Sequence, residues 1–353
     1  MMINKILLLL VIFLYIMSYC KKQLWWQYMG NTTIINPDDI PDVKWPFRNV
    51  RDDKGTKLNV ILISAPFRTN EDVETYNKYS EMGLNFCGIS SYLNFPDEIN
   101  TPYEDMYHVE NNHDYLSLVS AWLHCFRKPS EKLMKSGLPL LLLTEADLKD
   151  HSTVIGSTEP KEYDFFYSCP KDDDQCNPGW QSYNRNWDLA KECLKVMCGK
   201  YKLKGIIVGR ENCEFTELCS DYVTIVPAME YDEFQATMRK CRFIFVPNIM
   251  DASPRVITEA LCYNMPALVN YNIVGGWHNI IPDVTGEFFT DEKNINEALD
   301  KIIRPNIYQP KKWFIANRGK EISGGIMAQF LIKHFPNLGG NVVKPKTIKY
   351  VTM

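Results

Sequence analysis

The chain alternates between short, wholly apolar runs and longer stretches in which apolar residues recur every three or four positions. The first pattern predicts strands buried on both faces, and the second predicts amphipathic helices. In the first half, the predicted strands are 58–63, 86–90 and 138–143, and the predicted helices are 71–82, 113–126 and 132–135. Strands that alternate with helices in this way are typical of a doubly wound α/β fold with a parallel sheet.

The second half repeats the same alternation. Its predicted strands are 165–168, 205–209, 223–227, 243–246 and 267–269, and its predicted helices are 185–197, 231–240, 255–263 and 294–303. A last helical region, 313–334, is expected to be broken at Gly319 and again at Gly324-Gly325. With 353 residues, the chain has room for two such α/β domains.

The N-terminus differs from the rest of the chain. Residues 6–17 are an uninterrupted apolar run, which is short for a membrane-spanning helix of about 20 residues. We interpret residues 1–22 as a signal-anchor or a signal peptide and favour an uncleaved anchor. Residues 23–57 contain three prolines and are predicted to be a stem or linker. The remaining expected units are an N-terminal domain (58–160), a C-terminal domain (161–305) and a helical tail (306–353).

Charge and cysteine content exclude several classes of function. The formal net charge of -4 argues against general nucleic-acid binding, which requires a basic surface. No Gly-x-Gly-x-x-Gly turn follows a predicted strand, so a dehydrogenase is not indicated. None of the eleven cysteines forms a zinc-knuckle pair with matching histidines. Cys169 and Cys176 flank the acidic loop 172–174 and are expected to form a disulfide in an oxidising lumen, whereas most other cysteines are expected to be small buried residues.

Two acids accompany one predicted strand-loop-helix unit in the second half. After the strand 243–246, Ser253 is a predicted N-cap and Pro254 the predicted first helical residue. Asp251 then lies in the loop at the carboxyl end of a parallel strand, where open α/β sheets bind ligands, and Glu259 lies in the helix. The alternative interpretation is that both acids are solvated surface residues.

A second turn follows in the same segment. Gly275-Gly276 combines a flexible backbone with an expected helical segment directly after it. The free N–H groups of two helix starts favour an anion, and their arrangement suits a diphosphate.

The order and spacing of five features resemble the signature of the group-one family of retaining glycosyltransferases; these features are Asp251, Glu259, Pro266, Gly275-Gly276 and Thr285-Gly286. This family has the GT-B fold, in which two Rossmann-like doubly wound domains face a cleft and the C-terminal helix returns to the first domain. Asp251 departs from the pattern because the family usually has Glu there. Asn279 also departs, since the family often has an acid after the Gly-Gly turn.

The resemblance implies roles for individual residues. Glu259 would hold the ribose hydroxyls of the donor, Asp251 the donor sugar, and Arg185 the diphosphate, together with the Gly275-Gly276 turn. Further candidate donor-binding residues are Ser253, Pro254, Arg255, Lys171, Gly209 and Arg210. An alternative role for Arg185 is a surface salt bridge within its own helix.

The acceptor side carries no motif. Arg68, Glu145 and Asp147 follow predicted strands and would face the cleft, although helix caps and surface ion pairs are commoner roles for such residues. His124 is expected to pack within the helix 113–126 rather than to act as a base.

The implied function is transfer of a sugar from a nucleotide-diphosphate sugar to a glycan, glycoprotein or glycolipid acceptor with retention. No metal or other cofactor is expected. We expect a membrane-anchored enzyme on the lumenal side of the endoplasmic reticulum or Golgi, with the cytosolic face and secretion as alternatives. Two other functions stay open: a non-catalytic, membrane-tethered binding protein of this fold, and a sugar-nucleotide epimerase.

Overall fold

The described part of the chain forms two six-stranded sheets, each packed against helices. The computed structural model describes residues 35–97, 103, 113–154, 160–213, 217–304, 307–335, 337–338 and 348–350. Each sheet with its helices is called a domain below. The α/β class with parallel sheets, predicted from the alternating pattern, is confirmed.

Among the described residues, the first domain has six strands and two α-helices; they are β1 (Phe47–Asp52), β2 (Lys57–Ile63), α1 (Asn70–Glu81), β3 (Asn85–Ile89), β4 (Trp122–His124), α2 (Glu131–Lys135), β5 (Leu140–Leu142) and β12 (Ile348–Tyr350). The strand order is β12-β1-β2-β3-β4-β5. Strands β2 to β5 run parallel, whereas β1 is antiparallel to both of its neighbours. The carboxyl ends of β2 to β5 therefore lie at one edge of the sheet.

Two predictions for this domain are wrong. The predicted stem, 23–57, contains β1, whose Phe47 and Val50 are buried in the two core layers of the first sheet. The predicted helix 113–126 consists instead of turns followed by β4. Ala121, Trp122 and Leu123 are all fully buried, which fits a strand covered on both faces and not one face of a helix.

Where the structure describes it, the second domain has six parallel strands and five α-helices; they are β6 (Tyr163–Ser168), α3 (Trp180–Asn184), α4 (Trp187–Gly199), β7 (Gly205–Val208), β8 (Val223–Val226), α5 (Tyr231–Arg239), β9 (Cys241–Val246), α6 (Arg255–Cys262), β10 (Ala267–Asn270), β11 (Gly286–Phe289) and α7 (Ile295–Ile302). The strand order is β11-β10-β9-β6-β7-β8. After β6, the chain extends the sheet in one direction through β7 and β8, and then in the other through β9, β10 and β11. The order reverses between β6 and β9, and this is where doubly wound sheets bind ligands.

The C-terminal helices α8 (Pro310–Asn317) and α9 (Gly319–His334) connect the second domain to the first. Met327, Ala328 and Leu331 of α9 join the same core cluster as β2. The predicted break at Gly319 is present, and this glycine has φ +83°. The predicted break at Gly324-Gly325 is absent because Gly324 lies on the buried face of α9, where packing outweighs the low helix propensity of glycine.

No helix within the described ranges is both long and apolar enough to cross a membrane. The predicted N-terminal anchor, 1–22, lies outside the residues that the structure describes. It stays a prediction from the apolar run 6–17.

Candidate functional site

A cavity of about 450 Å³ opens where the strand order of the second sheet reverses. We call it the switch-point cavity. Its lining residues are Phe166, Ser168, Arg185, Met229, Tyr231, Phe234, Ile244, Phe245, Val246, Asn248, Asp251, Ser253, Arg255, Val256 and Glu259. Aromatic and aliphatic side chains thus share the cavity with two arginines and two acids, a composition suited to a ligand that is partly apolar and partly charged.

Asp251 and Arg185 meet at this cavity from opposite sides of the strand-order reversal. Asp251 lies in the loop after β9, and Arg185 lies between α3 and α4. An Nη of Arg185 is 2.7 Å from Oδ2 of Asp251, and the amide of Asn248 donates to the same oxygen at 3.1 Å. The alternative role of Arg185, a salt bridge within its own helix, is not what the structure shows: Asp188 pairs with Lys191.

Glu259 points into the protein from α6 and is only 6% exposed. The hydroxyl of Tyr231 donates to Oε1 at 2.8 Å, and the amide of Gln235 donates to Oε2 at 2.9 Å. The ammonium of Lys149, from the first domain, lies 3.6 Å from Oε1. The interpretation of Glu259 as a solvated helix-surface residue is therefore wrong. A buried carboxylate requires hydrogen-bond or ionic partners, and a polar ligand can take the place of one of them.

The helix that carries Glu259 begins one residue later than predicted. Its N-cap is Pro254 and its first residue is Arg255, which lines the cavity. The hydroxyl of Ser253, the predicted N-cap, instead accepts a hydrogen bond from the backbone N–H of Ala146 in the first domain, at 3.0 Å. Ser253 thus connects the two domains at the edge of the cavity.

The Gly275-Gly276 turn packs directly on the loop that carries Asp251. The N–H of Gly275 donates to the backbone oxygen of Asp251 at 2.9 Å. A Cβ on Gly275 would lie 1.8 Å from the carbonyl oxygen of Ala252, so no side chain fits there. Gly276 has φ +72° and precedes a 3₁₀ helix, Trp277–Asn279, which is the helical segment expected after the turn.

Six candidate donor-binding residues do not line the switch-point cavity: Pro254, Gly275 and Gly276 belong to the adjoining loops, and Lys171, Gly209 and Arg210 lie elsewhere. The ammonium of Lys171 pairs with Glu211 at 3.0 Å and with Asp174 at 3.1 Å. Gly209 has φ +91° and packs against Pro170. Arg210 is 1% exposed and lies under the ring of Trp187, with its guanidinium centre 4.8 Å from the ring centroid. Lys171, Gly209 and Arg210 thus support the region beside α4 and do not line the cavity.

The disulfide of the second domain joins Cys176 to Cys213, with a Cα–Cα distance of 5.6 Å. The predicted partner, Cys169, is a buried free thiol whose sulfur accepts hydrogen bonds from the Arg210 guanidinium at 3.2 and 3.3 Å. Pairing was mispredicted because Cys213, 37 residues from Cys176, approaches it only through the parallel packing of β6 and β7. Proximity in sequence does not determine which cysteines meet.

The acidic loop before α3 contains one carboxylate, Asp172, with a structural role. Both oxygens of Asp172 accept backbone N–H groups at the start of α3, from Gln181 at 2.5 Å and from Ser182 at 3.0 Å. Asp172 is therefore the carboxylate that caps α3. Arg185 follows α3 directly, so the cap that stabilises α3 also holds the backbone from which the Arg185 side chain enters the cavity.

One part of the first domain that contacts the site is the turn Thr144–Lys149, at the carboxyl end of β5. Asp147 in this turn is buried, and its oxygens lie 2.9 Å from Nε2 of His278 and 2.8 Å from the amide of Asn279. Burial alone would raise the pKa of Asp147, but the His278 charge and these hydrogen bonds lower it to about 2. Asp147, considered above as a residue facing the cleft, thus makes a buried contact between the two domains.

His124 ends β4 and is buried, so it is not in a helix as predicted. Burial, with the nearby charge of His278, lowers the pKa of His124. Over the ranges that the structure describes, no group of three or more His, Cys, Asp or Glu side chains is arranged to hold a metal ion.

Comparison with known proteins identifies the fold. No protein-family model and no curated protein matches the chain. The structure of the lipopolysaccharide outer core galactosyltransferase WaaB in its apo form superimposes with a TM-score of 0.52 at 13% identity, covering 78% of this chain and 75% of that one. TarM gives a TM-score of 0.52 at 10% identity, covering 78% and 54%. HepE of Anabaena, in complex with UDP and glucose, gives 0.52 at 10%, covering 75% and 76%. The chain therefore has the GT-B fold of these structures, as the sequence resemblance predicted.

Proposed function

We propose that the protein is a glycosyltransferase that takes its sugar from a nucleotide-diphosphate sugar bound in the switch-point cavity. One observation carries the proposal: Asp251, Glu259 and Arg185, assigned to the donor by resemblance, line one cavity, and the Gly275-Gly276 turn packs on the loop that carries Asp251. Arg185 lies 66 positions before Asp251 in sequence, and its meeting with the two acids at a strand-order reversal favours a binding site over a structural coincidence. The complex of HepE with UDP and glucose shows that another protein of this fold takes such ligands.

The cavity offers a place for each part of a nucleotide sugar. Phe166, Met229 and Phe234 form an apolar wall for the base, and Glu259 accepts from the ribose hydroxyls. Arg185, the start of α6 and the N–H of Gly276 supply positive charge and N–H groups for the diphosphate, whereas the N–H of Gly275 is bonded to the backbone oxygen of Asp251. This charge stabilises the diphosphate as it leaves, because negative charge grows on it in the transition state.

The finer assignments are also proposals. In the proposed reaction, the bond from the anomeric carbon to the diphosphate oxygen breaks, and a bond to the acceptor oxygen forms on the same face of the sugar. The acceptor proton passes to the departing diphosphate, and no metal ion is required. A glycan, glycoprotein or glycolipid is the proposed acceptor, and the lumen of the secretory pathway is the proposed location. The Cys176–Cys213 disulfide supports an oxidising compartment.

The test is donor binding and turnover by the full-length protein. UDP, ADP and GDP are titrated by calorimetry, and the corresponding glucose and N-acetylglucosamine donors are then incubated with the protein to detect released nucleotide. We expect one nucleotide series to bind and its donor to be hydrolysed slowly without an acceptor. Glu259→Gln should weaken binding by about tenfold or more, because two hydrogen bonds to a charged group are replaced by weaker ones.

Three outcomes decide the proposal. Release of nucleotide that is lost in Glu259→Gln supports it, and the anomeric configuration of the transferred sugar by NMR then tests retention. Binding without any turnover supports the alternative of a non-catalytic binding protein. Absence of binding by all three nucleotides rejects the cavity as a donor site.

A further inference from the structure

The turn Thr144–Lys149 of the first domain contacts the second domain at three parts of the proposed donor site. The N–H of Ala146 donates to the hydroxyl of Ser253, beside the start of α6. Asp147 binds the 3₁₀ helix that follows the Gly275-Gly276 turn. The ammonium of Lys149 donates to the hydroxyl of Tyr231 at 2.9 Å and lies 3.6 Å from Glu259. One turn therefore contacts the elements assigned to the sugar, the diphosphate and the ribose.

Lys149 is the member of this turn that reaches Glu259, the proposed ribose-binding carboxylate. Among the ion pairs of the described residues, Lys149 provides the only cation paired with Glu259. Burial would lower the pKa of Lys149, but the Tyr231 hydrogen bond and the Glu259 charge raise it above its ordinary value. The side chain therefore carries a positive charge at neutral pH, next to a carboxylate that is 8% exposed.

The arrangement of these partners has a consequence for nucleoside binding. Oε1 of Glu259 already accepts from Tyr231, and Oε2 accepts from Gln235. A ribose diol needs both oxygens in a fixed orientation, and each oxygen can accept a further hydrogen bond beside the one it already has. The Lys149 ammonium is the ionic partner that holds Glu259 in this orientation, and it comes from the other domain.

We propose that Lys149 of the first domain is a positioning residue for the donor, so that a nucleoside diphosphate binds to the two domains together and not to the second domain alone. The inference depends on the proposed function, and it adds a residue that the sequence signature does not contain. Lys149 acts by positioning Glu259 against the ribose, and its contact with Tyr231 couples occupancy of the cavity to the contact between domains.

The experiment compares three variants of the full-length protein by calorimetry with UDP and 2′-deoxy-UDP. Lys149→Met removes the charge and retains the length of the side chain, and Lys149→Arg restores the charge. Lys320→Met is the matched control: the Lys320 side chain is 25% exposed against 23% for Lys149, and it pairs with Asp150 at 3.0 Å without touching the cavity. Thermal unfolding of each variant verifies that it is folded.

We expect Lys149→Met to bind UDP about tenfold more weakly, since a charge-assisted contact is lost, and Lys149→Arg and Lys320→Met to stay within about twofold of wild type. The ratio of UDP to 2′-deoxy-UDP affinity should also fall towards one in Lys149→Met, because a misplaced Glu259 no longer distinguishes the 2′-hydroxyl. A purely structural role would leave this ratio unchanged.

Two results overturn the inference, and they are distinguishable. If wild type binds UDP and Lys149→Met binds it equally well with the same ratio, Lys149 does not position Glu259 for the donor, and the proposed function stands. If wild type binds neither UDP nor the ADP and GDP of the earlier panel, the proposed function fails, and this inference fails with it.

Discussion

Arg185 and Asp251 form an ion pair of 2.7 Å across the switch-point cavity, with side chains that are 25% and 17% exposed. The resemblance assigned the arginine to the diphosphate and the acid to the sugar. In the structure the two side chains bind each other, so a donor must break this ion pair before it can bind either residue. Asp at position 251, where the family usually has Glu, is thus placed to accept from Arg185 at hydrogen-bond distance.

Asp251→Asn is predicted to separate binding from turnover. Removing the competing charge frees Arg185 for the diphosphate, so UDP should bind about threefold to tenfold more tightly, while loss of the acid near the sugar should lower kcat by about tenfold or more. Calorimetry with UDP and a nucleotide-release assay measure the two effects. Weaker UDP binding in Asp251→Asn would show that the acid contributes to the nucleotide site and does not compete with it.

The disulfide is predicted to stabilise the second domain. Its cysteines are 37 residues apart, and loss of such a crosslink costs about 2–4 kcal/mol of the free energy of unfolding. Urea unfolding with and without dithiothreitol should show this loss in the wild type. The double variant Cys176→Ala, Cys213→Ala is the control, and reductant should not change its midpoint. An equal response of both proteins to reductant would assign the effect to another cysteine.

The fold was largely predictable because its elements are encoded by local patterns. The strand 58–63 and the helix 71–82 match β2 and α1 within a residue or two, since buried parallel strands are continuously apolar and α1 ends before Gly83. β4 was missed because it has only three residues, and the apolar residues around it recur at helical spacing. β1 was missed because prolines and charges beside it suggested a stem.

The candidate site was predictable only where a motif lies within one segment. Asp251, Glu259 and Gly275-Gly276 belong to such a segment, and the structure brings them to one cavity or its edge. Asp147 and Lys149 gave no comparable signal, because their partners His278 and Glu259 lie more than 100 positions away in sequence. Contacts of this range depend on how the two domains dock, and no local pattern encodes that.

Gly275→Ala is predicted to disrupt the turn through a direct clash. The new Cβ would lie 1.8 Å from the carbonyl oxygen of Ala252, so the loop carrying Asp251 must move, at a cost of about 3 kcal/mol or more. Gly137→Ala is the matched control: its Cβ meets nothing within 4 Å, and only its φ of +76° costs about 1 kcal/mol. Urea unfolding and UDP titration measure both variants. If Gly275→Ala and Gly137→Ala lost the same stability, the loop that contains Ala252 would be able to move at little energetic cost.

Asp147 is predicted to make the contact between domains sensitive to acid. Its pKa is lowered from 3.8 to about 2 in the folded protein, so the unfolded chain takes up this proton at a higher pH than the folded one. The stabilisation, about 2 kcal/mol, is fully present above pH 4 and is lost as the pH falls through 2. Asp147→Asn should therefore be less stable than wild type at pH 6, and the difference should shrink between pH 4 and pH 2. Thermal unfolding of both proteins across this range measures it; a difference that stays constant down to pH 2 would show that the loss comes from packing and not from the charge facing His278.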